Sequence, residues 1–275
     1  MTNKTGGLRE INWNLDDSWS TILPKRNVKS KCYAKSLLTK FQYAERQYLE
    51  AFKNGKVYKT KDDSKLDIQD SKFVVDTMYE GWFVGSDIFD KIRVLTDYCS
   101  YCYFSNVDEL DHYYDKHSYP ELAILPENLV PSCESCNQRK KSGAKYFQPY
   151  FEDISGYQWL YCTFKYTKAG NPPIPEYRLQ KPSDMPTELY KRLESQLRGT
   201  VFIDMANRSG QDELSGRWEG WKDLSCILTF DQFKKFLQKT ASNVTENKGQ
   251  NHWDSVLTNS LVDQIDTLFI DSKVL

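Results

Sequence analysis

Segment 29–52, KSKCYAKSLLTKFQYAERQYLEAF, sets apolar or aromatic side chains at Tyr33, Leu37, Phe41, Tyr48, Leu49 and Phe52. Steps of three, four and seven fit the helical period, so an amphipathic helix is expected there, ended by Asn54-Gly55-Lys56. Residues 1–27 show no such period and are expected to be irregular. After a polar connector at 61–70, SKFVVDTMYEGWFVGSDIFDKIRVLTDY reads as a helix, a glycine break at 81–85 and a second helix from Ser86. The texture then changes. DELDHYY (108–114) is strand-like, and ENLVPSCESCNQRKKS reads as a short strand running into a helix. WLYCTFKYT (159–167) and EYRLQ (176–180) are expected strands, split by the turn AGNPPIP. Ser183 is the expected N-cap of a helix that spaces Met185, Leu189, Leu193 and Leu197 four apart. TFDQFKKFLQKTAS predicts a short helix. NHWDSVLTNSLVDQIDTLFI predicts a closing one, with Trp253, Val256, Leu257, Leu261, Ile265 and Leu268 on one face and His252 as a cap or surface residue. The pattern is of α+β class and falls into a helical section (1–97), a central module (98–145) and an α+β section (146–275).

Hydrophobic residues make up 39% of the 275 positions and aromatic ones 14%, enough for a packed core and too many for wholesale disorder. The net charge of −1 argues against a nucleic-acid coat protein, but the charge is uneven: residues 1–60 hold 12 Lys and Arg against 5 Asp and Glu. Positions 25–40, KRNVKSKCYAKSLLTK, carry six bases and no acid. Such a stretch is either a solvated helix face or a phosphate-attracting patch whose affinity falls with salt. The N-terminus lacks the apolar core of a signal peptide, and no apolar run nears the roughly 18 residues of a membrane span. A soluble, cytoplasmic protein with reduced cysteines and no membrane partner is expected. No Gly-x-x-x-x-Gly-Lys-Ser/Thr or Gly-x-Gly-x-x-Gly occurs, so no nucleotide-hydrolysing motor is visible.

In a reducing compartment, paired Cys-x-x-Cys motifs point to metal before disulfide. Cys99 and Cys102 form one pair, Cys133 and Cys136 the other, separated by 30 residues. Four thiolates complete a closed tetrahedral shell for structural Zn²⁺. Cys32, Cys162 and Cys226 stand alone and are expected as buried or partly buried thiols. Between the two pairs lie two of the chain's three histidines, His112 and His117.

Leu110-Asp111-His112, the downstream Asn128-Leu129, and Cys133-x-x-Cys136-Asn137-x-x-Lys140 stand in the order strand, loop, strand, helix. Across residues 99–142 this resembles the HNH endonuclease family, the ββα-metal fold. The following region, to the terminal Trp-containing helix, resembles the extension of some bacterial HNH proteins. The resemblance implies a metal-dependent phosphodiester hydrolase. His112 would be the general base, since its ordinary pKa lies near neutral. Asp111 and Asn137 would offer hard oxygens to a catalytic Mg²⁺, with Mn²⁺ as a substitute. Asn128, the middle letter of the motif, would tie the loop down and orient the histidine. Lys140 would face the substrate phosphate, with Arg139 and Lys141 adding positive field. The last letter of the motif is Asn137 rather than His, which lowers the expected affinity of the catalytic site for Zn²⁺ or Ni²⁺. His117 is expected at the surface or against phosphate.

The expected substrate is double-stranded DNA. The setting expected is the nuclease effector of a bacterial anti-phage system, held in check by a protein partner such as an ATPase. The alternatives are a stand-alone restriction or mobile-element nuclease, and a non-catalytic zinc-binding adaptor.

Overall fold

The computed structural model describes residues 13–23, 26–140, 146–166 and 171–268. Helices occupy both ends and two small antiparallel sheets lie between them, giving a mixed α+β chain.

Helix α1 (Leu15–Ile22) falls inside the stretch expected to be irregular. Asn14 starts it reciprocally: its side chain accepts from the Asp17 amide, and the Asp17 carboxylate accepts from the Asn14 amide. Helix α2 (Val28–Lys53) takes the expected register, capped by Asn27, with Ala34, Leu37, Phe41, Ala44 and Tyr48 as its buried stripe. Helix α3 (Ile68–Lys72) passes directly into a π-helix, Phe73–Phe83, where an ordinary helix was expected. Gly85 turns the chain at φ 75°, a conformation glycine adopts without a Cβ clash, and Ser86 caps α4 (Asp87–Arg93). This section packs around Leu110, Leu122, Ile124, Leu125 and Leu129, so its core is shared with the central module.

In that module, β1 (Glu109–His112) pairs antiparallel with β2 (Leu129–Ser132), Asp111 opposite Val130 and His112 opposite Leu129. Helix α5 (Glu134–Arg139) follows. Further on, β3 (Leu160–Lys165) pairs with β4 (Ile174–Leu179), Cys162 opposite Tyr177. Helix α6 (Thr187–Gly199) begins after Pro186 and not at Ser183, because residues 183–185 first make a turn. Helix α7 (Phe202–Ile227) was not expected from sequence; its buried stripe is Phe202, Ala206, Gly210, Leu214, Trp218 and Trp221. Helix α8 (Phe230–Lys248) outruns the short helix expected, started by a Thr229–Gln232 capping box. His252 caps α9 (Trp253–Asp263), its Nδ1 accepting from the Asp254 amide at 3.2 Å. Trp159, Leu193, Leu197, Leu214, Phe233 and Leu257 are among the fully or nearly fully buried residues of this C-terminal core. Cys162 is buried, but Cys32 and Cys226 are exposed, contrary to the expectation of buried thiols. Among the described residues no helix is long and apolar enough to cross a membrane.

Gly210 lets β4 and α7 approach. A Cβ there would lie 2.8 Å from the Tyr177 ring, whose hydroxyl is held by the Trp253 carbonyl at 2.8 Å. A Cβ at Gly216 meets nothing within 4 Å. Gly216→Ala should therefore gain roughly 0.5–1 kcal/mol from helix propensity. Gly210→Ala should lose about 1–3 kcal/mol through overpacking. Chemical denaturation of the two variants checks this; equal gains would show that Tyr177 yields freely.

Glu127 sits between two sections. Its carbonyl accepts from the Tyr48 hydroxyl at 3.0 Å and from Gln148 Nε2 at 2.7 Å. Its side-chain Oε2 is buried and has no partner among the described residues. Burial, with the nearby carboxylates of Glu45 and Asp17, pushes its pKa from 4.5 up to about 7. A raised folded pKa means that folding favours the protonated acid, so stability is lost as pH climbs from about 4.5 through about 7. Glu127→Gln should be more stable than wild type at pH 8, on the order of 1–3 kcal/mol, and lose that advantage near pH 4.5. Melting curves at the two pH values decide it; a pH-independent difference would exclude titration of this acid as the cause.

Candidate functional site

Cys99 and Cys102 lie on a knuckle before β1; Cys133 and Cys136 lie where β2 turns into α5. Their four sulfurs fall within 4.8 Å of one another, and all four residues are buried. A tetrahedron of thiolates at about 2.3 Å from Zn²⁺ has edges near ~3.8 Å. The Cys102 and Cys133 sulfurs are 4.0 Å apart, so little adjustment closes the shell. As thiols they contend for protons: mutual hydrogen bonds pull Cys102 and Cys133 down and push Cys99 and Cys136 up. A soft divalent cation takes all four as thiolates and removes that conflict. A closed four-sulfur shell has no open position, so this donor set fits a structural Zn²⁺. The knuckle turns at Tyr103, whose φ of 59° is unusual for a bulky side chain; its ring packs edge-on against Phe202. Among the described residues no second group of three or more His, Cys, Asp or Glu donors comes together in this way.

The knuckle and α5 flank one face of β1. Glu109 and Asp111, two residues apart, share that face. Asn137 donates its Nδ2 to Glu109 Oε2 at 2.5 Å. A carboxylate only accepts, so the Asn137 nitrogen is committed to Glu109 and its Oδ1 is left for another donor or a cation. Lys140 does not point outward toward a phosphate, as its place one turn after Asn137 suggested. Its ammonium donates to Asp111 Oδ2 at 2.5 Å and to the His112 and Tyr113 carbonyls at 2.7 and 3.2 Å. Only 11% of its side chain is exposed. The Tyr101 hydroxyl, from inside the knuckle, donates to the same Asp111 oxygen at 2.5 Å. Burial pushes the Asp111 carboxyl up, against the pull of Lys140 and Tyr101. The positive charge beside Asp111 is thus the chain's own ammonium.

His112 leaves β1 on the opposite face. Its Nε2 lies 2.9 Å from the Ala123 carbonyl. A carbonyl only accepts, so Nε2 carries the proton and Nδ1 keeps its lone pair. Burial pushes the imidazole pKa down to about 3, which keeps the ring neutral at neutral pH. Tyr79, from the π-helix, meets the ring edge-on with centroids 4.5 Å apart. The loop that carries Ala123 is tied by Asn128. Its Oδ1 accepts from the Tyr114 amide at 2.8 Å, and its Nδ2 donates to the Tyr114 and Leu122 carbonyls at 3.0 and 3.2 Å.

His117 is exposed in the loop after β1, and Arg139 is exposed at the end of α5; Lys141 lies outside the described residues. So does Lys25 of the basic stretch 25–40, in which Lys40 pairs with Asp70 at 3.3 Å while Lys29 and Lys35 are exposed. Sequence reasoning missed Glu109, although its spacing of two from Asp111 on an expected strand puts both on one face. It also missed Tyr101, Tyr79 and the Ala123 carbonyl, which no motif marks.

No family model matches the chain, and no solved structure matches it. The chain is similar to Protein ea31 of Escherichia phage lambda, 27% identical over 158 residues, covering 54% of this chain and 49% of the phage protein. The chain thus spans about half the length of the phage protein it matches.

Purified protein should carry about one Zn²⁺ per chain by elemental analysis, since one closed shell holds one ion. Cys133→Ser should lose the ion and become insoluble or protease-sensitive. Folded wild type free of zinc would overturn the four-thiolate assignment.

Proposed function

We propose that the chain is a metal-dependent nuclease of the HNH, or ββα-metal, type that hydrolyses phosphodiester bonds in duplex DNA. The observation that carries this reading is the fixed tautomer of His112. Its Nε2 is spent on the Ala123 carbonyl, so Nδ1 is a neutral base on a strand stapled by the thiol cluster. Burial holds the imidazole pKa at about 3, so the ring is a weak base in this state; a phosphate entering beside it would raise that pKa, and Nδ1 would then take the proton of the attacking water as the oxygen closes on phosphorus. Asn128 supports the role by holding the loop that orients the ring. On the other face, Asp111 and the Oδ1 of Asn137 are hard oxygens that suit Mg²⁺, which keeps most of its own water. Glu109 would keep that Oδ1 turned the right way by holding the amide nitrogen. When bound, Mg²⁺ supplies Lewis-acid stabilisation of phosphoryl and leaving oxygens. In the arrangement seen here Lys140 balances Asp111 in its stead. A zinc-binding adaptor would need the thiol cluster but gives no reason for a buried imidazole with one committed nitrogen. As to setting, the phage source of the similar protein favours a mobile-element nuclease over the effector of an anti-phage system.

With Mg²⁺, wild type should nick supercoiled plasmid, and His112→Ala should lose roughly 10²–10⁴-fold in rate with zinc content unchanged; its melting temperature should fall, because the Ala123 carbonyl loses its donor and the ring leaves a cavity against Tyr79. Asn137→Ala should be partly restored by excess Mg²⁺ or by Mn²⁺, because mass action refills a weakened site, whereas His112→Ala should not be. A His112→Ala variant that cuts at the wild-type rate would move the base elsewhere, with His117 the next to test.

A further inference from the structure

We propose that the segment Lys53–Lys61, running from the end of α2 toward α3, is a docking ridge for the phosphate backbone of duplex DNA; this rests on the nuclease reading and adds to it a binding surface. Lys53, Lys56, Lys59 and Lys61 fall within nine residues that contain no acid. All four are exposed, and none has an ion pair or a side-chain hydrogen bond among the described residues. Other lysines near the site are already neutralised: Lys140 by Asp111, Lys116 by Glu80 and Lys40 by Asp70. Asp62 and Asp63 follow the segment directly and are exposed.

The ridge is not a loose loop. Tyr58 is buried; its amide donates to the Tyr114 hydroxyl at 3.0 Å and its own hydroxyl to Glu121 Oε1 at 3.0 Å. The Thr60 hydroxyl donates to the same Glu121 oxygen at 2.5 Å. Residues 58 and 60 are therefore held inward, while Lys59 and Lys61 are exposed. Glu121 stands two residues before Ala123, whose carbonyl holds His112, and Tyr114 is the residue Asn128 clamps. The lysines are thus pinned to the loop that sets the candidate base. Fixed, unpaired ammonium groups gather counter-ions, and a polyanion that displaces them gains their release.

The test is made in the His112→Ala background, where DNA stays uncut, by measuring affinity for a short fluorescent duplex at several salt concentrations without added Mg²⁺. Lys56→Glu, Lys59→Glu and Lys61→Glu together should weaken binding. They should also flatten the plot of log affinity against log salt by roughly 0.9 for each phosphate that is no longer neutralised, up to about 3. A charge-matched Lys234→Glu, Lys235→Glu, Lys239→Glu control on α8 should leave the slope unchanged. Melting temperature is followed throughout, and glutamine replacements serve if the glutamates disturb folding. An unchanged slope in folded protein, an equal change in the control, or a parent that binds single-stranded RNA or an acidic peptide but not duplex DNA would overturn the ridge. Persistent nicking by the wild type with an unchanged slope would remove the ridge and leave the nuclease reading. A shifted slope without nicking would do the reverse.

Discussion

Four sulfurs within 4.8 Å of one another are the constraint on which the central module depends. Strands β1 and β2 have four residues each and α5 has six. A ribbon and a helix that short do not persist alone in water. The knuckle joins the entrance of β1 to the exit of β2, and the Ser100 amide adds a hydrogen bond to the Pro131 carbonyl at 3.0 Å. Only with those ends fixed does α5 lie where Asn137 meets Glu109 and Lys140 meets Asp111. The staple also reaches into the site by a second route, because Tyr101 lies between Cys99 and Cys102 and its hydroxyl ends on Asp111.

Buried amides do the remaining joining. Gln148 donates to the Tyr48 hydroxyl at 3.0 Å, linking the N-terminal helices to the segment after α5. Asn251 accepts from the Trp159 and Leu160 amides and donates to the Tyr157 carbonyl, fastening the start of β3 to the turn before α9. Each sits where an apolar side chain would leave backbone groups without partners, and an unsatisfied buried group of that kind costs about 1–3 kcal/mol. The hydrophobic clusters supply adhesion without direction; these amides fix which backbone faces which.

What the sequence made legible follows from this division. Helix α2 was readable because its buried stripe is carried mostly by large residues at helical spacing. The order of cysteines, strands and α5 was readable from motif spacing. Helix α1 was not, since about two turns hold too few apolar positions to show a period. Helix α7 was hidden because Ala206 and Gly210 stand in its buried stripe, and small residues carry little hydrophobic signal. The inward turn of Lys140 was invisible for a geometric reason. The residue has left the helix, at ψ 109°, so counting turns from Asn137 gives the wrong direction for its side chain. The candidate base and its loop-tying Asn128 were found through a resemblance to a known motif, and their partners, backbone carbonyls and a distant tyrosine, have no sequence signature.

Gln196 ties the C-terminal section to the knuckle. Fully buried on α6, it donates through Nε2 to the Ser100 and Tyr101 carbonyls, at 3.4 and 3.2 Å. A C-terminal helix therefore reads the shape of the turn that presents two of the four thiols. Two equilibria that share a set of hydrogen bonds are coupled, and the coupling free energy is the same in both directions. A change in the knuckle on binding an ion would be felt by α6 through these bonds, and a change in α6 by the knuckle. Metal binding at the four thiols and the order of the C-terminal section would then be conjugate properties of one molecule, although among the described residues the thiol cluster takes no member from that section.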